Sequence, residues 1–301
     1  MNRARRWVSS LAALIVLGSC TEQDPVPLAA VTAPLAVSPS APQPPPVGFK
    51  LDGTMSQGGL VRGVAPAGTA TLMLDGAPVT VASDGAFVIA FDRDAGTSAA
   101  LAATMRDGRV VSRMLSIAPR AWNISRLPTL PKYPVPSADF ARLRPPETAA
   151  IAAARATPIE ADGWRQPFRW PATGRISTLF GSQRIYANGE AGSYHSGIDI
   201  AVPEGTPVLA PADGVVTLVS DHPFLLEGNL LMIAHGMGVE SALMHLSRIV
   251  VAPGQRVTRG QLVAYSGRTG RVTGPHLHWS LRWRTARIDP LLVAGAMPGA
   301  G

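Results

Sequence analysis

All six histidines of this 301-residue chain fall between His195 and His278. Around the last pair, Leu277, Trp279, Leu281 and Trp283 alternate with His276, His278, Ser280, Arg282 and Arg284. Strict period two predicts an amphipathic strand with one buried face, so His276 and His278 share the polar face with Cα atoms about 6.5 Å apart. One ring can then bind a metal while the other stands over a bound water; the alternative is a pair of solvated surface histidines. Upstream, His195-Ser-Gly-Ile-Asp199 sets an imidazole and a carboxylate four residues apart around a glycine. His195, Asp199 and one histidine of the later pair give two imidazoles and one carboxylate. That set suits catalytic zinc with a fourth position left for water. Non-haem iron(II) takes the same ligand types, although an exported chain is a poor setting for an oxygenase. His222, before Pro223, reads as a loop residue, and His235, in Ala-His-Gly, as a structural one at a strand end.

Further motifs join these in a fixed order. His195-Ser-Gly-Ile-Asp199-Ile-Ala, Gly205-Thr-Pro-Val, Ala212-Asp-Gly-Val-Val, Met244-His245-Leu-Ser and Gly274-Pro-His276-Leu-His278 together resemble the lysostaphin-type zinc peptidase family. Phe180-Gly181 and the paired Gly254-Gln-Arg-Val257 and Gly260-Gln-Leu-Val263 also match. The resemblance implies an antiparallel β-sheet peptidase domain, barrel-sandwich-like, that hydrolyses peptide bonds in peptidoglycan. It implies one zinc ion per chain, held by His195, Asp199 and His278. His276 and His245 fall on the family's other two functional histidines. His276, beside His278, is the candidate base for water, and His245 the candidate donor to the developing oxyanion or leaving nitrogen. Met244 departs from the family, where an aromatic-Ala pair before the histidine is commoner, and this bears on the groove wall. The loop Ser266–Gly274 offers Arg268 and Arg271 either as partners for substrate carboxylates or as solvated side chains. The family also holds non-catalytic relatives that activate or recruit other cell-wall hydrolases and usually lack part of the zinc set; here all five positions are filled.

The motifs lie in residues 171–292, which read as mostly β, with strands at Asn229 to Ala234, Ser241 to Leu246, Gln261 to Tyr265 and His276 to Trp283. Residues 48–120 read as a small β-sandwich-like domain, a spacer or binding module. Its hairpin signals are Asp52-Gly53, Asp75-Gly76, Asp84-Gly85 and Asp107-Gly108. Residues 121–170 read as a connector kept extended by Pro128, Pro131, Pro134 and Pro136. A short Ala-rich helix is expected over 146–156 with Pro146 in its first turn, and Trp164, Phe168 and Trp170 should pack the connector against the next domain. Residues 293–301 read as a tail, and the fold class as mainly β.

Composition bounds the rest. With 46% apolar and 16% charged residues the chain can build one or two packed domains. No apolar run reaches the roughly 18 residues of a spanning helix. The formal charge of +7 rests on 25 Arg and 2 Lys, and without residues 1–19 it falls to +4. With no long basic run and no basic stretch interleaved with aromatics, nucleic acid is not an expected partner. Residues 1–19 read as a signal peptide: Arg3, Arg5 and Arg6, then the apolar Trp7 to Leu17, then small residues. Leu17-Gly18-Ser19-Cys20 resembles the lipobox of bacterial lipoproteins and uses the only cysteine of the chain. The resemblance implies lipidation of Cys20 and a membrane anchor. Thr21, rather than Asp, follows it, which implies outer-membrane sorting with the body facing the periplasm. Residues 20–47 then form a proline-rich linker, with eight prolines in positions 21–47. As extended polyproline II it reaches roughly 80 Å, at about 3.1 Å per residue.

Overall fold

The computed structural model describes residues 48–127 and 137–299. The expected signal segment 1–19, Cys20, the linker 20–47, and Pro128, Pro131, Pro134 and Pro136 lie outside the described residues.

The first part is built of β1 (Lys50–Gly53), β2 (Leu60–Val64), β3 (Thr69–Leu74), β4 (Ala77–Val79), β5 (Ala86–Ala90), β6 (Ser98–Met105) and β7 (Val110–Ser116). These pair antiparallel as two sheets, β1-β2-β5 and β4-β3-β6-β7. Asp75-Gly76 makes the two-residue β3–β4 hairpin its sequence predicts, with positive φ at both residues. Asp52-Gly53 does not turn the chain. Gly53 ends β1 opposite Val61, pressed so close to the Leu60 carbonyl that a Cβ has no room. β8 (Ile124–Arg126) follows.

The expected helix over 146–156 is longer than its sequence suggests, running as α1 (Ala138–Ala156). The Ser137 hydroxyl accepts the Phe140 N–H at 3.1 Å, and Asp139 sits in the first turn. Pro145 and Pro146 therefore lie inside the helix, where each removes a backbone donor. Tertiary contacts hold the helix across that gap. Ile151 and Ala154 pack on Phe224, Leu230, Met232 and Ala242. The buried Glu147 carboxylate accepts the Leu225 N–H at 2.7 Å, and Arg144 forks onto Glu227 at 2.6 and 2.8 Å.

The remaining strands are β9 (Arg175–Thr178), β10 (Gln183–Ile185), β11 (Ile198–Ala201), β12 (Pro207–Leu209), β13 (Gly214–Val219), β14 (Asn229–Gly236), β15 (Val239–Ile249), β16 (Arg256–Val257), β17 (Leu262–Ser266), β18 (Leu277–Trp283) and β19 (Ala286–Ile288). All but β10 join one antiparallel ten-stranded sheet. Its main path is β16-β13-β14-β15-β18-β11-β9; β17 bridges β15 and β12, and β19 flanks β18. β10 instead pairs in parallel with β8. Helix α2 (Pro290–Ala294) crosses the expected boundary at 292. The Trp170 indole donates to the Gly295 carbonyl at 3.1 Å and Met297 is buried, so the start of the expected tail is packed.

One hydrophobic core runs through both parts, from Phe87, Ile89 and Leu101 to Trp279, Leu281 and Ile288. This is why β5, Ala-Phe-Val-Ile-Ala, is buried at every position: beyond its pairing with β2 it touches β4, β18 and β19. Trp164, Phe168 and Trp170 are buried in the same core. Phe168 meets His235 edge-on at 5.0 Å and Trp170 meets Trp279 at 5.6 Å. Arg62 of β2 donates to the Trp164 and Gln166 carbonyls, both at 2.6 Å. Among the described residues no helix is long and apolar enough to cross a membrane.

Candidate metal centre

The register of two neighbouring strands builds the centre. β11 and β18 pair so that Asp199 stands opposite His278. His195 reaches the same point from the loop before β11. His195 Nε2 lies 3.0 Å from Asp199 Oδ1 and 3.1 Å from His278 Nδ1, and His278 Nδ1 lies 2.8 Å from Asp199 Oδ1. His195 Nδ1 donates to the Leu179 carbonyl at 3.2 Å, so in the neutral ring Nε2 presents its lone pair to the other two atoms. His278 is 6% exposed. The face that period two marks as polar is thus not a solvated one: α1 roofs it further along, and Ser280 and Arg282 are only half-buried there.

The donor set fits a divalent ion. A tetrahedral zinc about 2.0–2.1 Å from each ligand needs ligand atoms roughly 3.3 Å apart, close to the triangle present here. His278 Nε2, the nitrogen turned away from that triangle, is buried and without a partner among the described residues. It presses on Gly197, where a Cβ would lie 2.8 Å from it. Burial opposes the charge on Asp199, yet the His195 and His278 rings beside it hold its carboxyl well below the usual range. Burial also pushes His278 down and so favours the neutral, metal-binding ring.

His276 and His245 stand beside this triangle. His276 Nδ1 donates to the Gly274 carbonyl at 2.9 Å, and its Nε2 lies 3.6 Å from Asp199 Oδ1. The His245 ring is 4.7 Å from that of His276 and 6.1 Å from that of His278. His245 reaches this position through an irregular backbone. Its φ is +64°, and β15 slips register against both β14 and β17 on either side of it. Such a bulge re-aims one side chain out of a sheet's alternation. His245 Nδ1 donates to the Thr269 carbonyl at 2.9 Å, and burial, with the neighbouring His278 and His276 adding to it, pushes its pKa down to about 4.

Four other residues singled out in the sequence lie outside the triangle. Arg268 and Arg271 are exposed on the loop before His276. His222 is an exposed loop residue 2.6 Å from Asp221, and His235 is fully buried between the Asp213 carbonyl and the Ser241 hydroxyl. Sequence reasoning missed the groups that orient the rings: the carbonyls of Leu179, Gly274 and Thr269. Backbone acceptors leave no mark in a sequence. It also missed a brace from the first part of the chain. Arg93, 6% exposed, donates to the Gly181 carbonyl at 3.1 Å and to Gln183 Oε1 at 3.0 Å, while Asp92 accepts from the Tyr194 hydroxyl at 2.8 Å. Gly181 and Ser182 in turn hydrogen-bond the backbone of His195.

Comparison with known proteins agrees with this geometry. Residues 193–290 match Peptidase family M23. The chain is 46% identical over 117 residues to the peptidoglycan DD-endopeptidase ShyA of Vibrio cholerae, an alignment covering 39% of this chain and 27% of ShyA. It is 42% identical over 124 residues to the DD-carboxypeptidase/endopeptidase Mpg of Neisseria meningitidis, covering 41% of this chain and 28% of Mpg. The chain thus spans little more than a quarter of the length of these curated relatives. A solved Pseudomonas aeruginosa structure assigned to peptidase M23 superposes with a TM-score of 0.60 and 27% identity, over 80% of this chain and 95% of that one. From the matched segment and the geometry within it, residues 193–290 of this chain form a domain of peptidase family M23.

Proposed function

We propose that this protein is a zinc-dependent endopeptidase that hydrolyses peptide cross-links of peptidoglycan during cell-wall remodelling. The observation that carries the reading is the closed triangle of His195 Nε2, Asp199 Oδ1 and His278 Nδ1, none further than 3.1 Å from the next. These three side chains would hold one zinc ion. The chemistry supplied by zinc bound there is Lewis acidity towards water and towards a carbonyl oxygen.

The chain's own groups supply the proton transfers. With its Nδ1–H spent on the Gly274 carbonyl, His276 turns a lone pair on Nε2 towards the centre and takes a proton from the attacking water. His245 is held neutral by burial, and its resting Nε2 is an acceptor, because Nδ1–H is committed to Thr269. It becomes a donor only when protonated, a state that negative charge developing on the carbonyl oxygen or leaving nitrogen favours. The lipobox-like Leu17-Gly18-Ser19-Cys20 supports export as a lipoprotein, anchored through Cys20 in the outer membrane and facing the periplasm. On that reading peptidoglycan is the partner, reached across the proline-rich linker.

A zymogram against purified cell wall tests the assignment. A cleared band that a chelator abolishes and added zinc restores is the expected result. Clearing that survives chelation ends the zinc reading. No clearing, together with stimulation of another wall hydrolase, assigns the chain to the non-catalytic relatives instead.

A further inference from the structure

A cavity of about 240 Å³ lies between α1 and the face of the ten-stranded sheet. Its lining includes Ser196, Met244 and Ser280, which are neighbours in sequence or on the strand of His195, His245 and His278. It adjoins the metal centre through Met244, which is paired opposite His278, although none of the five centre residues lines it. Along β18 the same-face row runs His278, Ser280, Arg282, so Arg282 stands about 13 Å from His278 at the strand rise of about 3.3 Å per residue. Arg287 of β19 is paired directly opposite Arg282, and both line the cavity.

The charges at this far end are unbalanced. Among the described residues, Arg155 of α1, Arg282 and Arg287 meet two carboxylates, and both are engaged. Glu240 pairs with Arg155 at 3.2 Å. Asp92 accepts the Tyr194 hydroxyl and the Arg287 backbone N–H. Arg282 is fixed through Nε, which donates to the Arg284 carbonyl at 2.7 Å. The Arg287 guanidinium is stacked 4.9 Å from the centre of the Tyr194 ring. Neither guanidinium makes an ion pair among the described residues. Burial, with the neighbouring Arg155 and Arg287 adding to it, lowers the Arg282 pKa against the pull of Glu240, which stands opposite it in the strand register, and of Asp92.

We propose that Arg282 and Arg287 form a carboxylate-binding subsite that grips a free carboxylate of the substrate peptide three to four residues from the bond being cleaved. This rests on the peptidase reading above. Two planar guanidiniums present forks that match a carboxylate. Three cations against two anions suit a monoanion better than a phosphate dianion. The roof of α1 limits the pocket to a side chain or a chain end. The subsite selects substrate by charge, while the metal centre cuts whatever peptide bond is delivered to it.

The test is the affinity of the zinc-loaded full chain for cross-linked muropeptide dimers whose stem carboxylates are free or amidated, read by calorimetry alongside hydrolysis. The wild type should bind the free form about tenfold more tightly, the effect of one charge-assisted hydrogen-bonded pair. Arg282→Gln and Arg287→Gln should each remove that preference without changing affinity for the amidated dimer, and Arg282→Lys should retain part of it. Equal wild-type affinity for both dimers, or equal losses on both in the variants, overturns the subsite. If Arg282→Gln does not fold, Arg287→Gln on the short outer strand carries the comparison alone. Arginine-dependent binding without hydrolysis of either dimer would fell the peptidase reading and leave the subsite standing. Hydrolysis of both dimers alike, without preference in binding, would do the reverse.

Discussion

On the proposed reading His195, Asp199 and His278 hold the ion and His276 acts as the base, and single substitutions should separate the two roles. Asp199→Ala removes the anion of the triangle and should abolish both bound zinc and wall hydrolysis. His276→Ala leaves all three ligand atoms, so zinc content by elemental analysis should be unchanged while turnover falls by a factor of about 100 or more. Retained turnover in that variant would end the base assignment. Gly197 is a further control point. A Cβ there would strike the Trp279 carbonyl and the ring nitrogen of His278, so Gly197→Ala should weaken zinc binding and lower the melting temperature together. Period two and the His-x-x-x-Asp spacing pointed to His195, Asp199 and one histidine of the later pair; that His278 completes the triangle was implied only by the family resemblance. The placement of His245 was not, since it depends on a left-handed backbone at one residue of β15, and the chain carries no glycine there to announce it.

At the scale of elements, the loop after β5 does more than join strands. Arg93 lies against Tyr194 and Trp122, 4.8 and 5.2 Å from the ring centres, while gripping Gly181 and Gln183. Those residues fix the backbone that presents His195. Arg93→Ala should therefore lower zinc affinity by about 10- to 100-fold, the usual cost of losing an outer support, as measured by competition with a chelator; unchanged affinity would show that the brace is only structural. Reading residues 48–120 as a spacer or binding module missed this, because the contact spans 88 residues and involves no metal-binding side chain of that region. α1 was only partly legible for a different reason. Pro145-Pro146 looks like a helix start, and the contacts of Arg144, Glu147 and Ile151 that carry the helix through it are visible only in three dimensions.

At the scale of the whole molecule, the shared core ties stability to pH through His235. Burial pushes its pKa down from 6.5 to about 4, against the pull of the Asp213 carbonyl. Between those two values the unfolded chain binds a proton that the native chain does not, so stability is full above about pH 6.5 and declines as pH falls towards 4. His235 accounts for about 3 kcal/mol of that loss, and His245, which burial pushes down likewise, adds to it. Urea midpoints recorded across that window should show it, and His235→Gln should flatten the slope; a wild-type midpoint independent of pH would mean the ring is not buried neutral. The mainly β architecture was legible from alternation and turn residues. Its unity was not, because the alternation of β18 and the run of β5 each describe one strand and neither says that the two press on each other.

The parallel pairing of β8 with β10 has a practical corollary for anyone dissecting the molecule. The matched span 193–290 begins after the hairpin that β8 clasps. An excised fragment with those limits would carry every proposed ligand and base yet leave behind the bracket of Arg93, Tyr194's acceptor Asp92 and the Leu179 carbonyl. Such a fragment should be a poorer catalyst than its inventory of histidines suggests, and for this chain the smallest faithful unit starts near residue 48.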